Sequence, residues 1–474
     1  MINLRERVID GVVRLSADER RLLGSLRVIA RLGKHIAPTH GHRRQLERLE
    51  WAIDHDHSAI QLVRRIISSN SKSYLRRLAA LFVEHTWEGH RRRVRLREQY
   101  GVSLPGFIVI SPLAQCNLHC TGCYAGAYGD REPTLSYRDM ERLIDEVRDW
   151  GCRFIVISGG EPTMLWRSFP GERRGLRDLF EQYHDMLFLM YTNGTLIDDE
   201  MAAQMAELGN VAPAISLEGF REQTDARRGE GVFDRVMDAM AALRRHRALF
   251  GASVTYTSLN ADTVASDEFI DMLVDQGCIY AWYFMYVPVG RDPDLSLMVT
   301  PEQRRHMCET TWRWLNTRPI FVADFWNSGA LTHGCIAAGA DSGYLHVTHR
   351  GDICPCVFML YSNLNMHETA SDTPLLDAIR SEFFARIRRG QQEKQNNPLA
   401  PCQIVDHPEV LKQAVERTGA DSTQAGQTIL DELHPQLCRR AQQWRAIADE
   451  LWTTSGAWTG LRDAYQDNGW LPPG

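Results

Sequence analysis

The sequence predicts an α/β protein whose central part is a partial (β/α)6 barrel, with a helical region before it and a cysteine-bearing region after it. Three observations predict this class: apolar runs alternate with helical patterns from Pro105 onward, residues 1–104 contain no strand pattern, and a cysteine-containing segment follows the alternation. Six β/α units in order indicate parallel strands joined by right-handed crossovers. In such folds the chemistry gathers at the carboxyl ends of the strands.

The predicted strands are short runs of apolar, β-branched or aromatic residues. They lie at 107–111, 153–158, 187–192, 212–217, 251–257 and 281–287. The helix after the first strand is indicated most clearly, because Ser136 stands as its N-cap, Asp139 completes a capping box and Gly151 ends it. Its apolar residues recur at helical spacing and are Met140, Leu143, Ile144 and Val147.

Residues 1–104 predict several basic amphipathic helices. They carry 21 Lys and Arg against 11 Asp and Glu, a net charge of about +10, which leaves about −16 on the rest of the chain. Ile60, Val63 and Ile67 share an apolar face, and the polar segment 68–73 is expected to break the pattern into two helices. Two interpretations stay open: a helical domain that packs on the barrel, or a surface that binds an anionic partner such as a membrane.

The chain divides into four predicted regions. These are a basic helical region (1–104), the barrel (105–318), an auxiliary domain (319–410) and a helical tail (411–474). The polar stretch 390–401 is expected to be a loop, and the tail repeats apolar residues at helical spacing: Ile429, Leu430, Leu433, Leu437, Trp444 and Ile447.

Composition also predicts where the protein works. No run of 18 apolar residues is present, and the first ten residues carry charges where an apolar signal region would lie. Eleven cysteines without a signal peptide favour reduced thiols for metal or redox chemistry over disulfides. We therefore expect a cytoplasmic protein, peripheral to the membrane if the basic helices bind one, and no nucleic-acid partner.

Three cysteines stand in one loop directly after the first predicted strand: Cys116, Cys120 and Cys123. Iron–sulfur clusters are normally held by four cysteines, so a four-iron cluster held by three leaves one iron free for a substrate or cosubstrate. A zinc site with an open position and a set of purely structural cysteines are the alternatives.

The C-x3-C-x2-C spacing of this loop resembles the signature of the radical S-adenosylmethionine (radical SAM) superfamily. Further segments agree with this resemblance in their order and placement: SGGEP (158–162), YTNGT (191–195), ISLEG (215–219), ARRGEGVFDRVM (226–237) and VPVGR (287–291). The resemblance covers about residues 105–405 and implies a barrel like part of a TIM barrel. It also implies a [4Fe-4S] cluster on the three cysteines, and reductive cleavage of S-adenosylmethionine to a 5′-deoxyadenosyl radical that abstracts hydrogen from a substrate.

The same resemblance implies which residues bind the cosubstrate. In the family the GGE segment holds the methionine amino group and the fourth strand commonly contacts the ribose, so the expected set is Gly159, Gly160, Glu161, Asn193, Ser216 and Glu218. The family usually has an aromatic residue just before the third cysteine. Gly122 stands there in this chain, and Tyr124 is the candidate to replace the aromatic ring.

A second cysteine group follows the barrel. Cys335, Gly351 and Cys356 fit the C-x(9–15)-G-x4-C opening of the SPASM-type auxiliary domain, whose dense run of further cysteines is absent here. We therefore expect one auxiliary [4Fe-4S] cluster on Cys335, Cys356 and Cys402. Cys354 is the expected fourth ligand because alternate residues of a strand point the same way, with Asp406 or His407 in its place as the alternative. The remaining cysteines are expected in the core: Cys152, Cys278, Cys308 and Cys438.

The substrate is less clearly indicated. Residues expected to line the barrel mouth are Tyr286, Arg291, Asp324, Trp326 and Asn327, and no catalytic side chain stands out among them. We predict a radical SAM oxidoreductase that acts on a peptide, a small metabolite or a lipid, with peptide modification favoured, and that receives electrons from a reductant such as flavodoxin or ferredoxin. The competing prediction is an iron–sulfur carrier or sensor that never cleaves the cosubstrate. The GGE segment counts against it, because an electron carrier needs no methionine site.

Overall fold

The structure is a computed structural model, and it describes residues 19–36, 40–125, 132–340, 343–394, 397–424, 429–459 and 461–462. A curved nine-stranded sheet forms its centre, in the order β7-β6-β5-β4-β3-β2-β1-β8-β9. Its strands are β1 (Ile108–Ile110), β2 (Phe154–Ile157), β3 (Leu187–Thr192), β4 (Val211–Ser216), β5 (Gly251–Tyr256), β6 (Tyr280–Met285), β7 (Phe321–Asp324), β8 (His346–Val347) and β9 (Ile353–Cys354). Strands β10 (Tyr361–Ser362) and β11 (Asp421–Ser422) form a separate antiparallel pair.

The predicted α/β partial barrel is confirmed, with one more strand than expected. All six predicted strands are present and pair in parallel in chain order. Strand β7 pairs in parallel with β6, so the barrel sheet continues past the predicted boundary at residue 318. At the other edge β8 pairs in parallel with β1, and β9 returns antiparallel to β8. The second cysteine region is therefore joined to the barrel sheet through β1.

Helices surround the sheet. Those before and around the barrel are α1 (Glu19–Ile36), α2 (His40–Asp54), α3 (Ser58–Ser69), α4 (Lys72–Val83), α5 (His90–Tyr100), α6 (Tyr137–Asp149), α7 (Leu176–Gln182), α8 (Asp199–Leu208), α9 (Arg221–Arg228), α10 (Val232–Arg245), α11 (Ala261–Val264), α12 (Asp267–Gln276), α13 (Pro301–Thr317) and α14 (Gly329–Thr332). Those that follow are α15 (Pro374–Arg380), α16 (Glu382–Lys394), α17 (Pro408–Thr418) and α18 (His434–Thr454). A π-helical segment, Glu84–Gly89, joins α4 to α5.

Helix α6 has the predicted capping box. The Ser136 side chain accepts a hydrogen bond from the Asp139 backbone N–H, and the Asp139 carboxylate accepts one from the Ser136 N–H at 2.8 Å. Its predicted apolar residues are all buried in the main core: Met140, Leu143, Ile144 and Val147. The helix is thereby fixed against the sheet directly after the loop that carries the first cysteine group.

The N-terminal helices pack at the end of the barrel opposite the cysteine loop. The Ser58 hydroxyl donates to the Leu315 carbonyl at 2.9 Å, and the Arg65 guanidinium donates to the carbonyls of Val274, at 2.7 Å, and Pro319. Ile60 is buried. The predicted break after α3 is confirmed at residues 70–71, and residues 1–18 of this predicted region lie outside the described residues.

Part of the predicted loop 390–401 is wrong, because helix α16 continues to Lys394. The reason is tertiary packing: Gly390 lies against Val410, and Gln391 is buried with its amide donating to the Ala337 carbonyl. The predicted start of the tail at residue 411 falls inside α17, and the helical pattern of the tail begins only at His434. Among the described residues, no helix is long and apolar enough to cross a membrane.

Candidate active site

The first cysteine group lies in the loop between β1 and α6, and neighbouring segments hold that loop by its backbone. Thr121 donates its N–H to the Arg227 carbonyl at 3.0 Å. Arg291 donates its N–H to the Cys123 carbonyl at 3.0 Å and its guanidinium to the Cys120 carbonyl at 3.4 Å. Segments that follow β4 and β6 therefore fix the loop at the carboxyl ends of the strands.

Two of the thiols receive polar donors. The Cys116 sulfur accepts from the Leu118 N–H at 3.4 Å and from the Asn193 amide at 3.8 Å, and the Cys120 sulfur accepts from the Arg228 guanidinium at 3.8 Å. Burial raises the pKa of Cys120, and the positive charge of Arg228 opposes that rise. Donors of this kind stabilise sulfur that carries negative charge, as a cluster ligand does.

The Gly159–Gly160 pair lets β2 approach the start of the cysteine loop. Gly160 donates its N–H to the Leu113 carbonyl at 2.9 Å, and Glu161 donates its N–H to the Gln115 carbonyl at 2.8 Å. A Cβ atom on Gly160 would lie only 1.9 Å from the Gln115 carbonyl oxygen. The two glycines therefore position the Glu161 carboxylate beside the cysteines.

Glu161 is buried, and both oxygens of its carboxylate accept hydrogen bonds within the fold. It accepts from the Thr163 hydroxyl at 2.5 Å, the Thr192 hydroxyl at 2.6 Å and the Asn193 N–H at 2.7 Å. Burial raises its pKa, although these bonds oppose the rise. Asn193 in turn donates to Asn117, inside the cysteine loop, at 2.8 Å. The expected residues Glu161 and Asn193 thus form one network with the loop.

Glu218, which is expected to contact the cosubstrate, is engaged with two arginines of the fold. It is fully buried, does not line the cavity, and pairs with Arg227 at 2.8 Å and with Arg228. Burial alone would raise the pKa of Glu218, but the two guanidinium groups outweigh it and lower the pKa. One carboxylate between two arginines leaves net positive charge next to Cys120. Ser216, by contrast, does line the cavity.

Close packing explains why a glycine occupies position 122. Its φ is +64°, and a Cβ atom there would lie 2.7 Å from the Tyr286 ring and 3.2 Å from the Leu297 side chain. Tyr286 therefore occupies the space beside the position where the family usually carries an aromatic ring. Tyr124, the expected substitute, lines the cavity with its hydroxyl 2.6 Å from the Ser158 hydroxyl.

The second cysteine group faces the same cavity. Three of its predicted members line it: Cys335, Cys356 and Cys402. The Tyr344 hydroxyl lies 2.9 Å from the Cys356 sulfur. Burial raises the pKa of Cys335 to about 12, and the nearby Cys356 thiol adds to the rise. The structure thus brings these three cysteines together at one cavity wall.

Cys354, the predicted fourth ligand, lies apart from the cavity, and its role as a ligand stays a prediction. Strand β9 ends at Cys354, and a turn begins at Cys356, whose carbonyl accepts from the Met359 N–H at 3.1 Å. The alternation of strand residues therefore stops between the two cysteines. Cys354 is fully buried and is absent from the cavity lining.

The alternatives to Cys354 are engaged elsewhere. Asp406 is fully buried, pairs with the Arg304 guanidinium through both oxygens, and accepts from the Cys402 N–H at 3.0 Å. The His407 imidazole lies 3.1 Å from the Ala400 carbonyl oxygen. Cys152, Cys278 and Cys308 are buried as expected, and Cys438 is half-buried.

The cavity between the two groups measures about 1580 Å³ and has an aromatic wall. Neighbouring rings lie 5.1 to 6.3 Å apart along this wall and come from β3, from β6 and from the segments after β7: Tyr191, Phe284, Phe325, Trp326, Tyr344 and Phe358. Because Phe325 follows β7 and Tyr344 precedes β8, the rings bridge the two edges of the curved sheet.

Three functional residues escaped the sequence prediction in whole or in part. Arg227 and Arg228 stand within a quoted motif without an assigned role, and the signal that points to them is their spacing of nine and ten residues from Glu218. Arg291 was expected at the barrel mouth as an anion-binding residue. It holds the cysteine loop instead, and neither it nor Asn327 lines the cavity, whereas Tyr286, Asp324 and Trp326 do.

The donor sets fit iron–sulfur clusters. Each group presents three thiols to a cavity large enough for a cluster and a small molecule, and the first also has hydrogen-bond donors to two of its sulfurs. In the part of the chain that the structure describes, no three or more His, Cys, Asp and Glu side chains are arranged around a position for one metal ion.

Comparisons with known proteins show what this chain is similar to. Residues 110–273 match the model of the Radical SAM superfamily. The Fe-coproporphyrin III synthase of Methanosarcina barkeri is 32% identical over 199 residues, which are 40% of this chain and 47% of that protein. The mycofactocin maturase MftC of Mycolicibacterium smegmatis is 27% identical over 319 residues, which are 63% of this chain and 76% of that protein. The match to the first of these relatives thus spans about half of its length.

The fold agrees as well. The crystal structure of SuiB from Streptococcus suis superposes with a TM-score of 0.51 at 19% identity, over 68% of this chain and 74% of that one. The fold and the site define a radical SAM enzyme, as the sequence predicted. The segment 110–273 is similar to the Radical SAM superfamily, and this similarity implies a [4Fe-4S] cluster and S-adenosylmethionine as its cofactors.

Proposed function

We propose that this protein binds S-adenosylmethionine at the cluster of Cys116, Cys120 and Cys123 and takes hydrogen from a substrate held against the aromatic wall. The observation that carries this proposal is that the cysteine loop and Glu161 line one cavity and belong to one hydrogen-bond network. An electron carrier or sensor needs no buried carboxylate beside its cluster.

The residues have separate tasks in this proposal. When bound, the cluster supplies the electron for reductive cleavage of the sulfonium. Glu161 accepts hydrogen bonds from the amino group of the cosubstrate, and the net positive charge of Arg227 and Arg228 attracts its carboxylate. The aromatic wall keeps water out of the reacting volume, which suits chemistry with a reactive radical.

Binding of the cosubstrate tests the role of Glu161. In reconstituted protein, E161Q should weaken S-adenosylmethionine binding by about tenfold to a hundredfold in equilibrium dialysis, because a hydrogen bond to a charged group contributes about 1.5–3 kcal/mol. The matched control is E200Q, since Glu200 is exposed and pairs only with surface groups. Equal affinity in wild type, E161Q and E200Q would contradict the assignment.

The substrate class that best fits the cavity is a flat aromatic molecule, and we name a tetrapyrrole first. Six aromatic rings in tilted or edge-to-face contact line a volume of about 1580 Å³, and one relative is named for Fe-coproporphyrin III. Peptide modification is the second candidate. It is favoured by the fold shared with SuiB, whose structure was determined with a precursor peptide bound.

A titration with Fe-coproporphyrin III tests the substrate class. We expect a saturable shift of its Soret band, with affinity reduced about tenfold in F284A, because one aromatic contact contributes about 0.5–1.5 kcal/mol beyond its buried area. The control is W312A, since Trp312 packs on Trp458 away from the cavity. No saturable shift would remove the tetrapyrrole and leave the peptide candidate.

The other partners are proposals of the same kind. A second [4Fe-4S] cluster binds the auxiliary cysteines, and a carrier such as flavodoxin or ferredoxin delivers the electrons in the cytoplasm. Helix α5 carries the exposed residues Arg92 and Arg95 and offers an anionic membrane a basic face. Sedimentation with anionic vesicles at low and high salt tests this contact, and no binding at low salt would contradict it.

A further inference from the structure

The cavity extends beyond the two cysteine groups, along the strands of the barrel. Cys116 follows β1 in the chain and Phe107 precedes it, and both residues line the cavity. The aromatic wall continues in the same direction, because the Phe107 ring stacks on the Tyr344 ring with the ring centres 5.2 Å apart. The part of the cavity beside Phe107 therefore lies toward the amino ends of the strands, away from the cysteine loop.

Two helices border this part of the cavity, and each presents one face to it. The lining residues of α5 and α16 recur at spacings of three and four: Val94, Arg97, Glu98 and Gly101 at α5, and Ala385, Arg388, Arg389 and Gln392 at α16. The chain just before α16 is held to the end of α5, where the Arg380 guanidinium donates to the Tyr100 carbonyl at 3.0 Å. Because Arg97 and Arg389 are exposed, the cavity reaches the surface at these helices. We call this place the arginine opening.

Arg388 is the half-buried arginine of this opening. Its guanidinium donates to the Ala338 carbonyl at 2.8 Å and to the Ile379 carbonyl at 2.7 Å. Both acceptors are neutral, and in the part of the chain that the structure describes no carboxylate forms an ion pair with Arg388. Burial lowers the pKa of Arg388, and the positive charge of Arg389 lowers it further. An arginine has five N–H donors, so this side chain keeps both charge and donors for a ligand.

Positive charge predominates at the arginine opening. Glu98 is the one acidic residue on the two helix faces, against three arginines. Glu382 pairs with Arg389 at 2.8 Å, but both side chains of that pair are exposed, so water weakens their interaction. The imidazole of His333 also lines the cavity. This end of the cavity therefore favours an anionic group.

We propose that Arg388, supported by Arg97 and Arg389, binds a propionate carboxylate of a tetrapyrrole substrate at the arginine opening. This inference rests on the proposed function and extends it to how the substrate is oriented: the macrocycle lies on the aromatic wall, and its acidic groups point toward α5 and α16. The planar guanidinium matches a carboxylate, and a charge-assisted hydrogen bond is stronger than one between neutral groups. The binding is non-covalent and transfers no electron.

A comparison of an acid with its ester tests this contact. Fe-coproporphyrin III and its methyl ester, solubilised in the same detergent, are titrated into reconstituted full-length protein and followed at the Soret band. R388Q should bind the acid about tenfold to a hundredfold more weakly than wild type does, and should bind the ester as wild type does. The control is R386Q, since Arg386 pairs with Glu382 and does not line the cavity, so both affinities should stay unchanged.

The ester separates recognition of a carboxylate from support of the fold. Arg388 also holds the carbonyls of Ala338 and Ile379, so a purely structural role would weaken binding of the acid and of the ester equally. Equal losses for the two compounds in R388Q would overturn the inference, and so would wild-type affinity of R388Q for the acid.

A second variant keeps the test valid if R388Q does not fold. Arg389 is exposed, so R389Q leaves the packing intact. It should weaken binding of the acid by about twofold to fivefold and make that binding less sensitive to salt. An R389Q protein with the affinity and the salt dependence of wild type would contradict the arginine opening.

The proposed function and this inference fail separately. Wild type that forms 5′-deoxyadenosine but binds neither porphyrin would overturn the inference alone. Wild type that binds the acid as expected, with the loss in R388Q confined to the acid, supports the inference even if 5′-deoxyadenosine is never formed, a result that would contradict the proposed radical chemistry.

Discussion

The ring of Tyr124 lies 5.2 Å from the ring of Phe358, and this contact joins the two cysteine groups. Tyr124 directly follows Cys123, and Phe358 stands two residues after Cys356. Burial raises the pKa of Tyr124 to about 12, and the nearby thiols of Cys123 and Cys356 add to the rise. One aromatic pair therefore connects the two segments that carry the cysteine groups.

Truncation of Tyr124 tests this coupling. We expect Y124A to lower the free energy of unfolding by about 3–5 kcal/mol, because it removes a large side chain from a packed wall. The control Y124F keeps the ring and loses only the hydrogen bond to Ser158, so it should cost about 0.5–1.5 kcal/mol. Chemical denaturation of the reconstituted proteins measures both. Equal losses in the two variants would show that the ring contact does not matter.

Gly122 gives a second prediction. G122A introduces both a left-handed backbone strain and a clash with Tyr286, whereas Gly171 has a φ of +76° and nothing within 4 Å of its missing Cβ. G171A should therefore cost about 1 kcal/mol, and G122A about 1–3 kcal/mol more. Because Gly122 lies between two of the cysteines, G122A should also lower the iron content. A G122A protein as stable and iron-rich as G171A would contradict the packing argument.

Arg304 holds the loop of the second cysteine group in place. R304L leaves the Asp406 carboxylate buried without its partner, which should cost about 3–5 kcal/mol and disturb Cys402, whose N–H donates to Asp406. The control is R305Q, since Arg305 lies in an exposed pair and should change stability by less than about 1 kcal/mol. Thermal unfolding and iron analysis check both. An R304L protein with full stability and full iron content would contradict this role.

The buried carboxyl group of Glu146 is expected to make the stability of the protein depend on pH. Burial raises its pKa to about 7, while its carboxylate accepts the N–H groups of Leu375 and Leu376 at the start of α15. The pKa of Glu146 is about 4.5 in the unfolded state and about 7 in the folded state, so between these pH values the native state binds more protons than the unfolded state. The free energy of unfolding therefore falls as the pH rises from about 4.5 to about 7, by at most about 3 kcal/mol.

The glutamine variant removes that titration. In E146Q the change in unfolding free energy between about pH 5 and pH 7.5 should be smaller than in wild type by this amount, measured by denaturation at each pH. A matched variant is E141Q, since Glu141 lies on the same helix and its partly exposed side chain pairs with Arg174. Identical pH profiles for wild type and E146Q would contradict the prediction.

Much of the fold follows from local sequence pattern. The six strand runs and the Ser136 capping box are encoded by neighbouring residues, and each was found where the pattern indicates. Helix α16 was missed over residues 390–394 because tertiary packing of Gly390 and Gln391, and not local propensity, keeps that polar segment helical.

The sequence predicts those parts of the site that a motif encodes, but not those parts that depend on tertiary geometry. Three cysteines at fixed spacing identified the first group, and the glycines before Glu161 identified the carboxylate. The side that Cys354 faces depends on where β9 ends, and the partner of Asp406 is Arg304, which lies 102 residues away in the chain. The spacing of residues in the sequence indicates neither the direction of Cys354 nor the pairing of Asp406 with Arg304.

The most direct measurement of the central claim is anaerobic formation of 5′-deoxyadenosine from S-adenosylmethionine with dithionite as the reductant. Wild type, reconstituted with about eight irons per chain, should form it only when reduced. The C116A/C120A/C123A variant should hold about half the iron and form none, and the C356A variant should still form it. Cleavage that survives loss of the three loop cysteines would contradict the assignment of this site.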